Sequence, residues 1–275
     1  MRQVKEVIDL STDDEKLKFE LMEHSMRHMA RNFNEFAHPN KIATEVNQYI
    51  KQQTKCEDAY FKQKELSNEI ALSMLPEVNK ILKNDGSLET HVKASIVGNI
   101  LDFGVYDINT DFKALIKENL GRNLSINDID ELENALNAHD KVLYIVDNAG
   151  EIVFDRLLIE KINAYGVDVT VAVISSPIVN DAGRKEAIEA GLDELAEIVD
   201  VGSDMGGIVE EMFSYEFKEI FHESDFIISK GMANYEGLTE MDLNGKDVFA
   251  LLCTKCNPIS KDLSVDINSF VLKKI

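Results

Sequence analysis

Two hydrophobic periodicities divide the chain. Up to about residue 139 apolar positions recur at three- and four-residue spacing, which predicts helices. Thr12 and Glu15 match a capping box, and Phe19, Met22, Met26 and Met29 follow at helical spacing as a stripe that reads as core filler. Further helices are predicted over 40–51, 57–75, 77–83, 88–102 and 111–119. Ser125 with Asp128 caps another, whose face carries Ile129, Leu132 and Leu136. After Asp140 short apolar, β-branched runs take over, at 142–146, 167–175, 198–201, 226–229 and 248–253, with helical segments between the first four. Strands alternating with helices predict an α/β fold. Residues 140–275 form a Rossmann-like, mostly parallel sheet flanked by helices, preceded by an all-helical domain over 1–139. No repeat or Pro/Gly-rich linker separates the two, so they are expected to pack together.

Composition narrows the function. Apolar residues make up 44 % of the 275, enough for a packed core despite the charge. Lys and Arg number 29 against 50 Asp and Glu, a formal charge of −21. That excess opposes nucleic acid and anionic membrane surfaces, whose binding relies on basic side chains. No apolar run approaches the ~18 residues of a membrane span, and the N-terminus is charged from Arg2, unlike a secretory leader. Three cysteines fit a reducing compartment, so a cytoplasmic protein is expected. Cys253 and Cys256 form a lone CxxC, which lacks the two further ligands of a zinc site and reads as structural. The oligomeric state stays open.

Ligands of open parallel sheets bind beyond the carboxyl ends of the strands. Asp147-Asn148-Ala149-Gly150-Glu151 follows the first strand, and a loop ending in Asn180-Asp181 follows the second. Gly202-Ser203-Asp204-Met205-Gly206-Gly207 follows the third, Lys230-Gly231 the fourth, leading to Asn234 and Glu236, and Lys255 the fifth. Asp147, Asn148 and Asp181 offer only oxygen or amide ligands, which suits a hard cation such as Mg²⁺ or Mn²⁺. Taken singly, Asp147 could merely cap the next helix; acids at three strand ends with lysines at two favour a site. Lys230 is expected to project over the crevice as a point charge on a phosphate. Ser203, Gly206 and Gly207, at a helix start, could offer backbone N–H groups to an anion.

Other chemistries fit poorly. There is no GxSxG, no GxGxxG after the first strand, and no DxD there. His24 and His28 are four apart, but no HExxH accompanies them, and they read as exposed or satisfied helix residues.

Several segments together resemble the domain-of-unknown-function-89 family, the metal-dependent damage-control phosphatases, in an archaeal-type, ARMT1-like form. They are VDNAGEIVFD (146–155), Asn180-Asp181, GSDMGG (202–207), KGMANYEGL (230–238) and LLCTKCNPIS (251–260), with SNEIALSMLP (67–76) and GNILDFG (98–104) in the helical part. The resemblance implies a divalent metal (Mg²⁺, Mn²⁺, Co²⁺ or Ni²⁺) on Asp147, Asn148 and Asp181, and a phosphate near Lys230. It also implies that Asn99 and Asp102 line the same cleft. Asp147, Lys230 and Asp181 are thus the expected catalytic residues. Asn99, Asp102, Ser203, Asp204, Gly206, Asn234 and Glu236 are the expected substrate contacts. The implied activity is hydrolysis of phosphomonoesters on small metabolites, sugar phosphates or damaged phosphometabolites, with Asp147 as ligand or also as nucleophile. The family usually carries a Cys-x-x-Cys just before an Arg-Gln, and this sequence begins Met1-Arg2-Gln3, so either the pair is lost or the start lies upstream. Two other readings stand beside it. One is an S-adenosylmethionine-dependent carboxyl methyltransferase, which lacks here the glycine-rich first turn. The other is a non-catalytic metal- or nucleotide-binding regulator.

Overall fold

The β-branched runs after Asp140 all form strands, and two further strands join them. The computed structural model describes residues 1–275 apart from 36, 101–111, 203, 204 and 244. Its strands are β1 (Leu124–Asn127), β2 (Lys141–Ile145), β3 (Asp168–Val173), β4 (Glu197–Asp200), β5 (Phe226–Lys230), β6 (Asp247–Cys253) and β7 (Phe270–Lys274). They make one sheet in the order β1-β7-β6-β5-β2-β3-β4, parallel throughout except between β6 and β7. After β2 the chain builds outward to β3 and β4, then returns to lay β5 on the other side of β2. The order therefore reverses at β2, the position where such sheets open a ligand crevice.

The helices are α1 (Arg2–Ser11), α2 (Glu15–Asn32), α3 (Pro39–Thr54), α4 (Phe61–Asn84), α5 (Leu88–Ile100) and α6 (Phe112–Leu120). After β1 come α7 (Ile129–Ala138), α8 (Glu151–Asn163), α9 (Arg184–Glu189), α10 (Tyr215–Glu223), α11 (Met232–Thr239) and α12 (Asn257–Asp262). Strand residues alternate between two cores. Val142, Tyr144 and Val146 face Phe154 and Leu158 of α8, whereas Leu143 and Ile145 face Phe217 and Phe221 of α10. Each such side chain, fully buried, contributes about 1.5–3 kcal/mol.

β1 and α7 precede residue 140 yet belong to the sheet layer, because β1 pairs with β7. Four residues (LSIN) are too few for a period-two signal, and β7 ends in two lysines, so neither strand shows in the pattern. α1 was also unforeseen; its buried face is Val4, Val7 and Ile8, at i, i+3 and i+4 among charged residues. With Leu21, Val46, Ile50 and Tyr60 these form a separate small core under α1–α3.

The methionine stripe is not core filler throughout. Phe19 and Met26 are 73 % and 49 % exposed, and α2 instead buries Leu21 and Ser25. The cap of α2 is Asp14, whose carboxylate accepts from the N–H groups of Lys16 and Leu17, two residues past Thr12. α4 runs unbroken through Pro76, where two helices were expected. Burial of Ala71 and Met74 before the proline and Val78 and Leu82 after it outweighs one lost backbone bond. His24 stacks on Tyr49, and His28 Nε2 lies 2.8 Å from Glu45 Oε2, so both are satisfied as expected. α5 lies against α8 at Gly98, where a Cβ would come within 3.0 Å of the Glu151 Cα. That approach carries Asn99 to the end of β2.

Candidate functional site

The segments after β2 and β3 are laced by backbone bonds. Ala149 N–H donates to Asn180 O (2.9 Å), Ala182 N–H donates to Asp147 O (2.8 Å), and Asn148 bridges Asp181 in antiparallel fashion. The lacing brings Asp147 and Asp181 to one crevice, where they line a cavity of about 20 Å³ together with Met205, Gly207 and Asn234. That volume holds one water-sized species. Gly150, at the N-cap of α8, carries no side chain, so Asp147 is not a helix cap. Its Oδ2 accepts from Asn99 Nδ2 (2.9 Å) instead.

The electrostatics fit a cation. Burial and the neighbouring Glu151 push the Asp147 carboxyl up to about 7, against the pull of Lys255 and Lys230. Burial and Asp147 hold the Asp181 carboxyl well above the carboxylate range, opposed by Lys64. Two buried acids in a small crevice, both with raised proton affinity, are the donors a divalent cation satisfies. Asn148 adds an amide oxygen, since its Nδ2 donates to Glu151 Oε2 (3.2 Å). Among the described residues no three of His, Cys, Asp and Glu cluster for a metal, so the protein set here is two carboxylates and an amide, with water completing the shell as for Mg²⁺.

Lys230 does not project over the crevice. It is fully buried, and its Nζ donates to Glu151 Oε1 (2.5 Å), Asp155 Oδ1 (2.7 Å) and Ser95 O (3.2 Å). All three donors are used, which leaves none for a phosphate. Asp155 Oδ1 also accepts from Tyr144 OH (2.9 Å) and Ser95 Oγ (2.7 Å). A second buried lysine, Lys64, pairs with Asp58 (2.6 Å) and Glu186 (3.2 Å) behind Asp181. The exposed cation on the Asp147 side is Lys255, which carries no ion pair among the described residues.

The other expected contacts divide. Asn99 spends both amide hydrogens on carboxylates, Asp147 and Glu151. Asn234 lines the cavity but gives both of its own to backbone, Val146 O (3.0 Å) and Lys230 O (2.8 Å). Gly206 N–H donates to Thr44 Oγ1 (3.1 Å) of α3, and a three-residue 3₁₀ turn (Glu210–Met212) comes next, so among the described residues no helix starts at Gly206 or Gly207. Glu236 is half-buried near His38, its carboxyl raised by burial. Asp102, Ser203 and Asp204 lie outside the described residues. Cys253 is buried and Cys256 half-buried, both with free thiols.

Sequence reasoning places Glu151 at the first strand end but assigns no role to it or to Asp155, although two acids four apart inside the apolar run EIVFD are a visible signal. α3 closes the crevice from above. Asn40 Nδ2 donates to Ala233 O (2.9 Å), Thr44 receives Gly206, and Lys51 Nζ donates to Ser176 Oγ (2.6 Å), one contact each after β5, β4 and β3.

Comparison with known proteins identifies the family and the fold. Residues 1–270 match the damage-control phosphatase ARMT1-like domain. The chain is 39 % identical to an uncharacterised protein of Methanocaldococcus jannaschii, covering 100 % of this chain and 92 % of the relative. It is 33 % identical to a damage-control phosphatase of Archaeoglobus fulgidus (97 % and 93 % covered) and 31 % identical to one of Pyrococcus horikoshii (98 % and 93 %). The crystal structure of a DUF89 family protein from Pyrococcus horikoshii superposes with a TM-score of 0.89 at 30 % identity, over 99 % of this chain and 95 % of that one. No helix among the described residues is long and apolar enough to cross a membrane. Family match, relatives and fold agree: the chain belongs to the damage-control phosphatase ARMT1-like, or DUF89, family.

Proposed function

We propose that this chain is a divalent-metal-dependent phosphomonoesterase acting on small phosphorylated metabolites. The observation that carries the proposal is the pairing of Asp147 and Asp181 at the sheet's switch point, in a family whose named relatives are damage-control phosphatases. Asp147, Asn148 and Asp181 would hold the cation. When bound, it supplies Lewis-acid polarisation of a phosphoryl oxygen and offsets the repulsion between an acidic crevice and a phosphate dianion.

The chain's own groups do the rest. Asn99 fixes one Asp147 oxygen by hydrogen bonding, so the carboxylate cannot rotate freely. Lys255, rather than the sequestered Lys230, is the side chain with a charge to spare for the phosphoryl oxygens. α3, anchored through Asn40, Thr44 and Lys51, keeps bulk water from the strand ends.

The test is a panel of sugar phosphates and p-nitrophenyl phosphate, assayed with Mg²⁺, Mn²⁺, Co²⁺ and Ni²⁺ after chelator treatment. Turnover that needs one of these metals, and is lost in Asp147→Asn, is the expected result. Full turnover in excess chelator, or none with any metal, overturns it.

A further inference from the structure

Glu151 is 1 % exposed, yet both of its carboxylate oxygens are engaged. Oε1 accepts from Lys230 Nζ (2.5 Å), and Oε2 accepts from Asn99 Nδ2 (2.7 Å) and Asn148 Nδ2 (3.2 Å). An ionised carboxylate can only accept, so any amide facing it has to present its NH₂ end. That rule settles the flip of two asparagines. Asn99 turns its NH₂ to Glu151 and Asp147 together, and Asn148 keeps its carbonyl oxygen off Glu151. Lys230 matters here by charge. Its ammonium lies 2.5 Å from Glu151 Oε1, so the buried carboxylate has its counter-ion on one oxygen and the amides on the other.

We propose that Glu151, ion-paired with Lys230, is a positioning residue that orients the Asn148 amide so that its oxygen, not its nitrogen, is left for a cation at Asp147 and Asp181. The proposal rests on the divalent-cation reading given above. Glu151 touches neither cation nor substrate; it acts through the hydrogen bond to Asn148.

A donor–acceptor exchange tests it, with Mn²⁺ alone as the probe, calorimetry and electron paramagnetic resonance as readouts, and the full chain freed of metal by chelator. Glu151→Gln puts one oxygen where two are needed. That oxygen goes to Lys230, and the new NH₂ faces the asparagine amides and forces the Asn148 flip. Mn²⁺ affinity should fall about 10–100-fold, the usual effect of losing a partner behind a ligand. Asn148→Asp alone sets a carboxylate against Glu151 Oε2 with no hydrogen between them. Its affinity should drop below wild type, although a negative ligand has been added. In the double variant Asn148→Asp/Glu151→Gln the new amide donates to the new carboxylate, whose other oxygen remains for Mn²⁺, and most of the lost affinity should return.

Circular dichroism checks folding. Where Glu151→Gln does not fold, Asn148→Asp alone decides. Unchanged affinity in Glu151→Gln, tighter binding in Asn148→Asp, or no recovery in a folded double variant overturns the positioning role and leaves the metal reading standing. Wild-type protein that takes up no Mn²⁺ at millimolar concentration overturns the metal reading itself.

Discussion

Gly231 passes Asp147 so closely that a methyl group on its Cα would sit 2.0 Å from Asp147 Oδ2. Its backbone, at φ 81° and ψ 165°, also occupies a region that costs other residues about 1–3 kcal/mol. Strain and collision act together. Gly231→Ala should therefore lose at least about 1–3 kcal/mol in urea unfolding and take up Mn²⁺ more weakly, as Asp147 is pushed aside. Wild-type stability with unchanged Mn²⁺ uptake would show that Asp147 can shift without consequence.

The two lysines at strand ends should behave in opposite ways. Lys230→Met strands Glu151 and Asp155 in the interior without their cation, at a cost of about 3–5 kcal/mol. Lys255→Ala removes an exposed side chain and should stay within about 0.5 kcal/mol of wild type, yet raise KM for a phosphomonoester. Unfolding curves and steady-state kinetics separate the two. A Lys230 variant of normal stability with raised KM would return the phosphate contact to that residue.

The sequence made the strand ends legible but not the direction of each side chain beyond them. Asp147 and Asp181 could be placed at one crevice because a parallel sheet has one carboxyl edge. Position alone points Lys230 outward, because its strand ends there. The structure turns it inward, since Glu151 and Asp155, one helical turn apart on α8, form a buried anionic site that only a cation can fill. Sequence position cannot say which neighbour captures a long side chain. The edge strands were hidden for a different reason: β1 exists through its partner β7, a contact between residues some 146 apart (Leu124 and Phe270) that no local pattern encodes. The roof formed by α3 was likewise invisible, because Asn40, Thr44 and Lys51 share a polar face that looks like any solvated one.

Stability of the chelator-treated protein should fall as pH rises from about 4 to 7. The Asp147 carboxyl, at about 7 when folded against 3.8 ordinarily, and Asp181, also raised, bind more protons folded than unfolded across that interval. The stability they contribute is therefore present at the acid end and lost as pH passes the folded value. Asp9, Asp85 and Asp247 are lowered and act with opposite sign, but only below their ordinary value of 3.8. Mn²⁺ replaces the protons, so its stabilising effect should grow over the same interval. Melting curves at several pH values, with and without Mn²⁺, check this. Asp181→Asn should flatten the metal-free slope; an unchanged slope would mean the two acids do not share a site.

The roof offers the last test. Thr44 is buried, and its Oγ1 accepts the Gly206 N–H at 3.1 Å. Thr44→Val keeps the shape and removes the acceptor, leaving that N–H unsatisfied at a cost of about 1–3 kcal/mol. The neighbours of Gly206, Met205 and Gly207, line the cavity with Asp147 and Asp181, so loosening this segment loosens the wall of the site. Hydrogen exchange at 205–208 should quicken, and KM should rise more than kcat falls, because the carboxylates themselves keep their backbone lacing. Lys51→Ala, which frees Ser176 after β3, should act in the same direction on the neighbouring wall. If exchange at 205–208 matches wild type in Thr44→Val while KM is unchanged, α3 is a neighbour of the crevice and not part of its enclosure.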